Sequence, residues 1–306
     1  MEKRNFTCSD SRVLAYRVWL PRKGVRIIAA VHILHGMAEH GARYDEFAKF
    51  LAARSIVVVA QDHRGHGESI ENGEKGFFLD SNGWQRVADD AFEISSSIAN
   101  EFPGIPLFLM GHSMGSFLAR TVMVQHPELY DGVIIMGTGA GQGLIGKIGK
   151  LIALHEIKKN GPHKPSEKMN NLSFSSYNKK FEPATTGFEW LSRDPEAVKK
   201  YVDDPLCGFV CTGEFYNDII DGIAFANSNA NAEKLPKDLP LLIISGTDDP
   251  VGGFSKGVRK VYQMYSDCGL ADVTLKLVEG ARHELLNETD RKDTFQFLLG
   301  WIKDHI

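Results

Sequence analysis

Residues Gly111-His112-Ser113-Met114-Gly115 form a G-x-S-x-G between a short apolar run, Leu107 to Met110, and a helical pattern, Ser113 to Gln125. A serine in that setting sits on a sharp strand-to-helix turn. The flanking glycines let the chain pass without a Cβ clash, and the hydroxyl projects above the sheet edge at a helix N-terminus. The chemistry this permits is attack on an acyl carbonyl. A serine hydroxyl is a weak nucleophile at neutral pH, so a base must take its proton and a further group must orient that base.

On an elbow of this kind, as in α/β-hydrolases, the acid and then the histidine follow the serine along the chain. Of eleven histidines, His126, His155, His163, His283 and His305 lie downstream of Ser113. His126 falls on the helix leaving the serine, His155 and His163 in a region of different character, and His305 near the terminus. His283 alone comes just past the last apolar strand run, so its loop leaves the same sheet edge and it is the expected general base. The acid should leave that edge too, where the run ending at Ser245 enters Gly246-Thr247-Asp248-Asp249-Pro250. Spacing alone does not separate the two aspartates. Pro250 restricts the residue before it, which favours Asp249 as the carboxylate that fixes the imidazole tautomer, with Asp248 capping the turn or solvated. Acyl transfer also needs donors for the developing oxyanion. Met114 N–H is one and Met37 N–H the other, since Gly36 in His35-Gly36-Met37 allows close backbone approach. Gly36 and His112 are expected beside the substrate.

His32, His35, His63 and His66 invite a metal reading, but their spacing matches no ligand pattern and no second cluster lies downstream. No metal or cofactor is expected, because water serves as the second substrate. The four cysteines, Cys8, Cys207, Cys211 and Cys268, are too few for a disulfide framework and are expected reduced.

These residues need a scaffold, and the apolar pattern supplies one. Arg12 to Leu20, Arg26 to Leu34, Ile56 to Ala60, Leu107 to Met110, Gly132 to Met136, Leu239 to Ser245 and Val273 to Val278 read as strands. Helical spacing appears over Tyr44 to Arg54, Gly83 to Asn100, Ser113 to Gln125, Phe254 to Tyr265 and Asp290 to Ile302. Alternation of this kind predicts a mostly parallel sheet covered on both faces. It lapses from about Gly139 to Lys237, far too long for a loop. The expected division is a core of residues 1–138 and 238–306 with an inserted helical cap over 139–237. Within the cap, Leu144, Ile145, Ile148, Leu151 and Ile152 form an apolar stripe. It either packs on the core, the default, or presents a lid face that touches substrate and, transiently, a membrane surface.

The 306 residues carry a net charge of -4, with 43% hydrophobic and 24% charged residues, as in an ordinary soluble domain with a large core. Nothing there favours nucleic acid as a partner. Lys158, Lys159, Lys164 and Lys168 read as a solvated face. Met1 to Asp10 lacks a signal-peptide core, and the expected location is cytoplasmic.

Five ordered segments resemble the monoacylglycerol lipase and lysophospholipase branch of the α/β-hydrolases, the serine aminopeptidase-like group. They are His35-Gly36-Met37-Ala38-Glu39-His40 with Arg43-Tyr44, Asp62-His63-Arg64-Gly65-His66-Gly67-Glu68-Ser69, Gly111 to Ser116, Gly246 to Asp249, and Glu279 to Glu284. The likeness spans residues 10–138 and 238–304. It implies the α/β-hydrolase fold with an eight-stranded sheet, and it supports Asp249, because the branch places its acid three residues after that glycine. It implies hydrolysis of small lipid esters through an acyl-enzyme. The cap matches no known cap closely, so the substrate rests on the core alone. An aminopeptidase or thioesterase on the same triad is the first alternative, with Glu182, Glu189 and Glu214 available to hold an ammonium. A non-catalytic ligand-binding protein is the second. Oligomeric state is not legible.

Overall fold

A computed structural model describes residues 1–141 and 143–306. Eight strands form one sheet: β1 (Glu2–Thr7), β2 (Val13–Trp19), β3 (Ala29–Leu34), β4 (Ile56–Gln61), β5 (Leu107–His112), β6 (Gly132–Met136), β7 (Leu241–Gly246) and β8 (Val273–Val278). Their order is β1-β2-β4-β3-β5-β6-β7-β8. β1–β2 and β2–β4 pair antiparallel, and every later pair is parallel. The central strands β3 to β7 are buried along their whole length, which is why they read as unbroken apolar runs.

Helices cover both faces. On one side α2 (Gly83–Glu101), α3 (Met114–Gln125) and α9 (Lys256–Asp267) contribute Val87, Ala91, Leu118, Val122, Val258 and Val261 to a common core. On the other, α1 (Asp45–Ala52) and α10 (Arg291–Asp304) bury Phe47, Leu51, Phe295 and Leu298. Between β6 and β7 come α4 (Gly143–Asn160), α5 (Glu167–Phe174), α6 (Pro195–Asp203), α7 (Gly213–Ala226) and α8 (Asn229–Ala232). Buried Arg120 on α3 ties the two ends of this insertion together. It donates to Gly139 O at 3.2 Å, Ala226 O at 2.6 Å and Asn227 Oδ1 at 2.9 Å.

Three features differ from the sequence reading. β1 was hidden in the charged start, because an edge strand bonds through its backbone and needs few apolar side chains. The strand read over Arg26 to Leu34 begins at Ala29. The apolar stripe of α4 does not pack on the core: Leu144, Ile145, Ile148 and Leu151 are 76%, 73%, 58% and 68% exposed, and only Ala153 of this helix is fully buried. Helices α5 and α7 hold the other side of α4, and the stripe faces outward. Ile152 alone of that stripe packs against the core.

Pairing in register brings the carboxyl ends of β3, β5, β6, β7 and β8 to one edge, with Leu34 opposite Gly111, His112 opposite Met136 and Gly246 opposite Val278. Loops that leave this edge can converge, as ligand sites of open α/β sheets do.

Candidate active site

Ser113 joins β5 to α3 with φ 54° and ψ -118°, a left-handed conformation that a residue with a Cβ adopts only under constraint. The constraint is visible in its neighbours. A Cβ on Gly111 would lie 2.0 Å from Gly115 O, and one on Gly115 would lie 2.0 Å from Leu34 O. Both glycines are therefore obligatory, and α3 is pressed against the end of β3. Ser113 N–H donates to Met136 O at 3.0 Å, and its carbonyl accepts from Ser116 Oγ at 2.6 Å. The side chain stays half-buried at the rim.

His283 arrives from the loop after β8, and its Nδ1–H donates to Asp249 Oδ2 at 3.0 Å. Asp249, wholly buried in the turn after β7, also accepts from Ser245 Oγ at 3.2 Å and Val251 N–H at 2.8 Å. Asp248 points the other way and bonds Lys180 at the surface, at 2.9 Å. With Nδ1 committed to Asp249, Nε2 is the ring nitrogen left to act as a base. The imidazole sits beside the elbow: a Cβ on Gly137 would meet His283 Cε1 at 3.0 Å, and the ring of His112, next to Ser113, lies 4.7 Å from that of His283.

The loop after β3 closes on the serine from the opposite side. A Cβ on Gly36 would stand 3.1 Å from Ser113 Cβ. The N–H groups of Met37, which follows Gly36, and of Met114, which follows Ser113, have no backbone carbonyl partner among the described turns and loops.

His112 and Gly36 are not arranged as substrate contacts. His112 is buried; its Nδ1 faces Glu39 Oε1 at 3.1 Å and its Nε2 faces the His283 carbonyl at 3.3 Å. Both partners are acceptors, an arrangement that favours the protonated ring. Burial opposes that charge, but the hydrogen bond to Glu39 and its negative charge outweigh it and raise the pKa of His112. Gly36 spends its N–H on Glu39 Oε1 at 2.6 Å.

Glu39 is the hub that sequence reasoning missed, although it lies within one of the five motifs. It also accepts from Tyr44 Oη–H at 3.0 Å and from Arg43 at 2.7 Å, and Arg43 grips Glu284 bidentately at 2.6 and 2.7 Å. Burial would push its carboxyl up; the Arg43 charge and the His112 hydrogen bond prevail and hold it well below the usual range. A cavity of about 10 Å³, space for one water, adjoins this network between Glu39, Arg43, His112 and Glu284. Beneath the same loop, His35, His63 and His66 are packed together with their pKa values depressed, chiefly by burial. His35 Nδ1–H donates to Gly36 O and its Nε2 accepts from His63 N–H, so this ring braces backbone.

The insertion reaches the site through Trp190, whose ring lies tilted against that of His283, 5.1 Å away, while its carbonyl accepts from His283 N–H at 3.4 Å. Phe174, Tyr177, Tyr201 and Phe188 cluster behind it.

The chain is similar to several known proteins. A monoglyceride lipase homolog of Monkeypox virus is 29% identical over 91% of this chain and 90% of its own. The monoglyceride lipase of Mus musculus is 30% identical over 92% of this chain and 82% of its own. Among solved structures, a highly thermostable carboxyl esterase from Bacillus coagulans in complex with glycerol superposes with a TM-score of 0.91 at 24% identity, covering 99% of this chain and 98% of that one. The family described as serine aminopeptidase, S33, matches residues 26–290, and this chain belongs to it.

Proposed function

We infer that the protein is a serine carboxylic-ester hydrolase whose substrates are monoacyl lipids, monoacylglycerols or lysophospholipids. The observation that carries the reading is the buried Asp249–His283 pair, 3.0 Å apart, at the same sheet edge as the strained Ser113 elbow. His283 Nε2 takes the proton as Ser113 Oγ adds to the ester carbonyl, and Asp249 steadies the imidazolium. Met37 and Met114 N–H receive the oxyanion. Collapse expels the alcohol with the proton from His283. Water then repeats the sequence in reverse roles and releases the fatty acid.

Residues 139–237 act as the cap, and their aromatic cluster against His283 gives the site an apolar wall suited to an acyl chain. The amide alternative needs a free carboxylate for an ammonium. Of Glu182, Glu189 and Glu214, Glu189 does not offer one: it accepts from Asn178, from the N–H groups of Thr185, Thr186 and Gly187, and from both threonine hydroxyls. Glu214 is buried and accepts from Asn217, and Glu182 is exposed. Relatives bearing the monoglyceride lipase name support the lipid ester.

The exposed face of α4 fits a second part of the function. Leu144, Ile145, Ile148 and Leu151 stand out among Lys147, Lys158 and Lys159, the composition of a surface that rests on anionic lipid. Among the described residues no helix is long and apolar enough to cross a membrane. Contact would be peripheral, delivering substrate to the cap.

A panel of monoacylglycerols, lysophospholipids, thioesters and aminoacyl amides of graded chain length tests the assignment. Wild type should favour the esters and label with a fluorophosphonate. Ser113→Ala should lose at least about 10⁴ in kcat and all labelling. Undiminished turnover or labelling of Ser113→Ala, or a preference for the amides, would refute it.

A further inference from the structure

The loop that carries Met37 is held from two sides, and one of them is the insertion. From the core, His35 Nδ1–H donates to Gly36 O at 2.7 Å, and Gly36 N–H donates to Glu39 Oε1 at 2.6 Å. In a trans peptide the N–H points opposite the C=O, so the bond on Gly36 O aims Met37 N–H away from His35. From the insertion, the Ala38 carbonyl accepts two bonds: Tyr201 Oη–H at 3.0 Å and Gly208 N–H at 2.9 Å. Two residues further, His40 Nε2 meets Asp204 Oδ2 at 3.0 Å, with Cys207 beside the pair. Tyr201 is itself fixed, buried under the Arg43 guanidinium, which lies 4.8 Å above its ring.

What these bonds hold is an unfavourable backbone. Ala38 is buried and left-handed, with φ 51°. Alanine avoids that region because its Cβ crowds the following carbonyl, so the conformation persists only where its surroundings impose it. If Ala38 relaxes, its rotation drags the adjacent Met37 peptide and swings the donor away from Ser113. Neither Tyr201 nor Gly208 needs to touch substrate for this.

The geometry points to Tyr201 as a positioning residue. Its hydroxyl, with Gly208 N–H, clamps the Ala38 carbonyl and makes the second oxyanion donor dependent on a seated cap. The inference rests on the assignment of Met37 N–H to the oxyanion hole. It adds that segment 201–208 of the cap, remote in sequence, controls transition-state binding without controlling substrate binding.

Tyr201→Phe removes the hydroxyl and keeps the ring. Because His35 still braces the loop, the expected loss in kcat is about 5- to 20-fold, short of the 10²–10³ for deleting a donor outright. KM should stay within about twofold, and Tm within about 2 °C, for an otherwise intact fold. Affinity for a trifluoromethyl ketone, which adds to Ser113 and forms the oxyanion, should fall by the same factor as kcat. A role in substrate binding or general stability would not produce that split. The clamp is overturned if kcat and ketone affinity stay within twofold of wild type, or if a raised KM accounts for the loss. Should Tyr201→Phe not fold, Asp204→Asn, which weakens the hold of segment 201–208 on His40 and the Leu206 N–H bond inside that segment, should give the same pattern at about two- to fivefold; no change there overturns it equally. Wild type that neither turns over esters nor labels would sink the hydrolase reading itself, whereas an active wild type with an indifferent Tyr201→Phe sinks only the clamp.

Discussion

Asp248 and Asp249 are neighbours in sequence with opposite surroundings, and the surroundings set their tasks. One is bonded to Lys180 in solvent, while the other is sealed against His283, Ser245 and the Val251 N–H. Glu39 shows how much a single buried carboxylate can organise, since it holds Arg43, His112, Tyr44 and Gly36 at once. His112 has a raised pKa in the fold, so its charge stabilises fully below its unfolded value of about 6.5 and ceases to do so as pH rises through the folded value. Glu39→Gln should therefore cost about 3 kcal/mol at pH 6, the scale of removing one partner from a buried charge pair. The deficit should be smaller at pH 9, because rising pH removes the His112 charge that Glu39 stabilises. Urea unfolding at the two values checks this; an equal loss at both would exclude His112 as the ionic partner.

Among the elements, the junction of α7 with the start of α2 is the least comfortable. Gly83 must be glycine because a Cβ there would stand 2.0 Å from Asp218 Oδ2, and that oxygen is buried with no hydrogen-bond partner. Burial, then the charge of Glu214, lift the Asp218 carboxyl to about 7, against a weaker pull from the N–H groups of Trp84 and Gly83. An acid whose folded pKa is raised favours folding most while it is protonated in both states. That contribution declines between its unfolded value near 4 and its folded value near 7, as the unfolded chain alone releases the proton. Asp218→Asn should flatten this slope, raising Tm at pH 8 relative to wild type by about 4 °C or more, with little change near pH 4. A Tm difference independent of pH would place the ionisation elsewhere.

At the scale of the molecule, the face on α4 is large, apolar and left uncovered. Isolated apolar residues on a surface call for no account; a stripe of four on one helix, edged by lysines, does. Wild type should cosediment with vesicles of phosphatidylcholine and phosphatidylglycerol. The double variant Leu144→Asp with Ile145→Asp should bind at least about tenfold more weakly, since each buried leucine or isoleucine contributes about 1.5–3 kcal/mol. Unaltered binding would assign the face to something other than lipid.

The order of strands and helices in the core was legible because each central strand is buried on both faces and must be apolar throughout, while each covering helix must repeat its apolar residues at helical spacing. The elbow was legible too, because only glycine fits on either side of Ser113. So was the family, since its motifs are runs of adjacent residues. Tertiary structure alone decided the rest. The outward face of α4 depends on what α5 and α7 cover, and an amphipathic sequence does not say which side meets the core. The network through Glu39, Arg43 and Glu284, and the hold of Tyr201 on Ala38, join residues up to 241 positions apart. No local spacing encodes such contacts, because a hydrogen bond depends on distance in space and the chain's own order leaves that distance open.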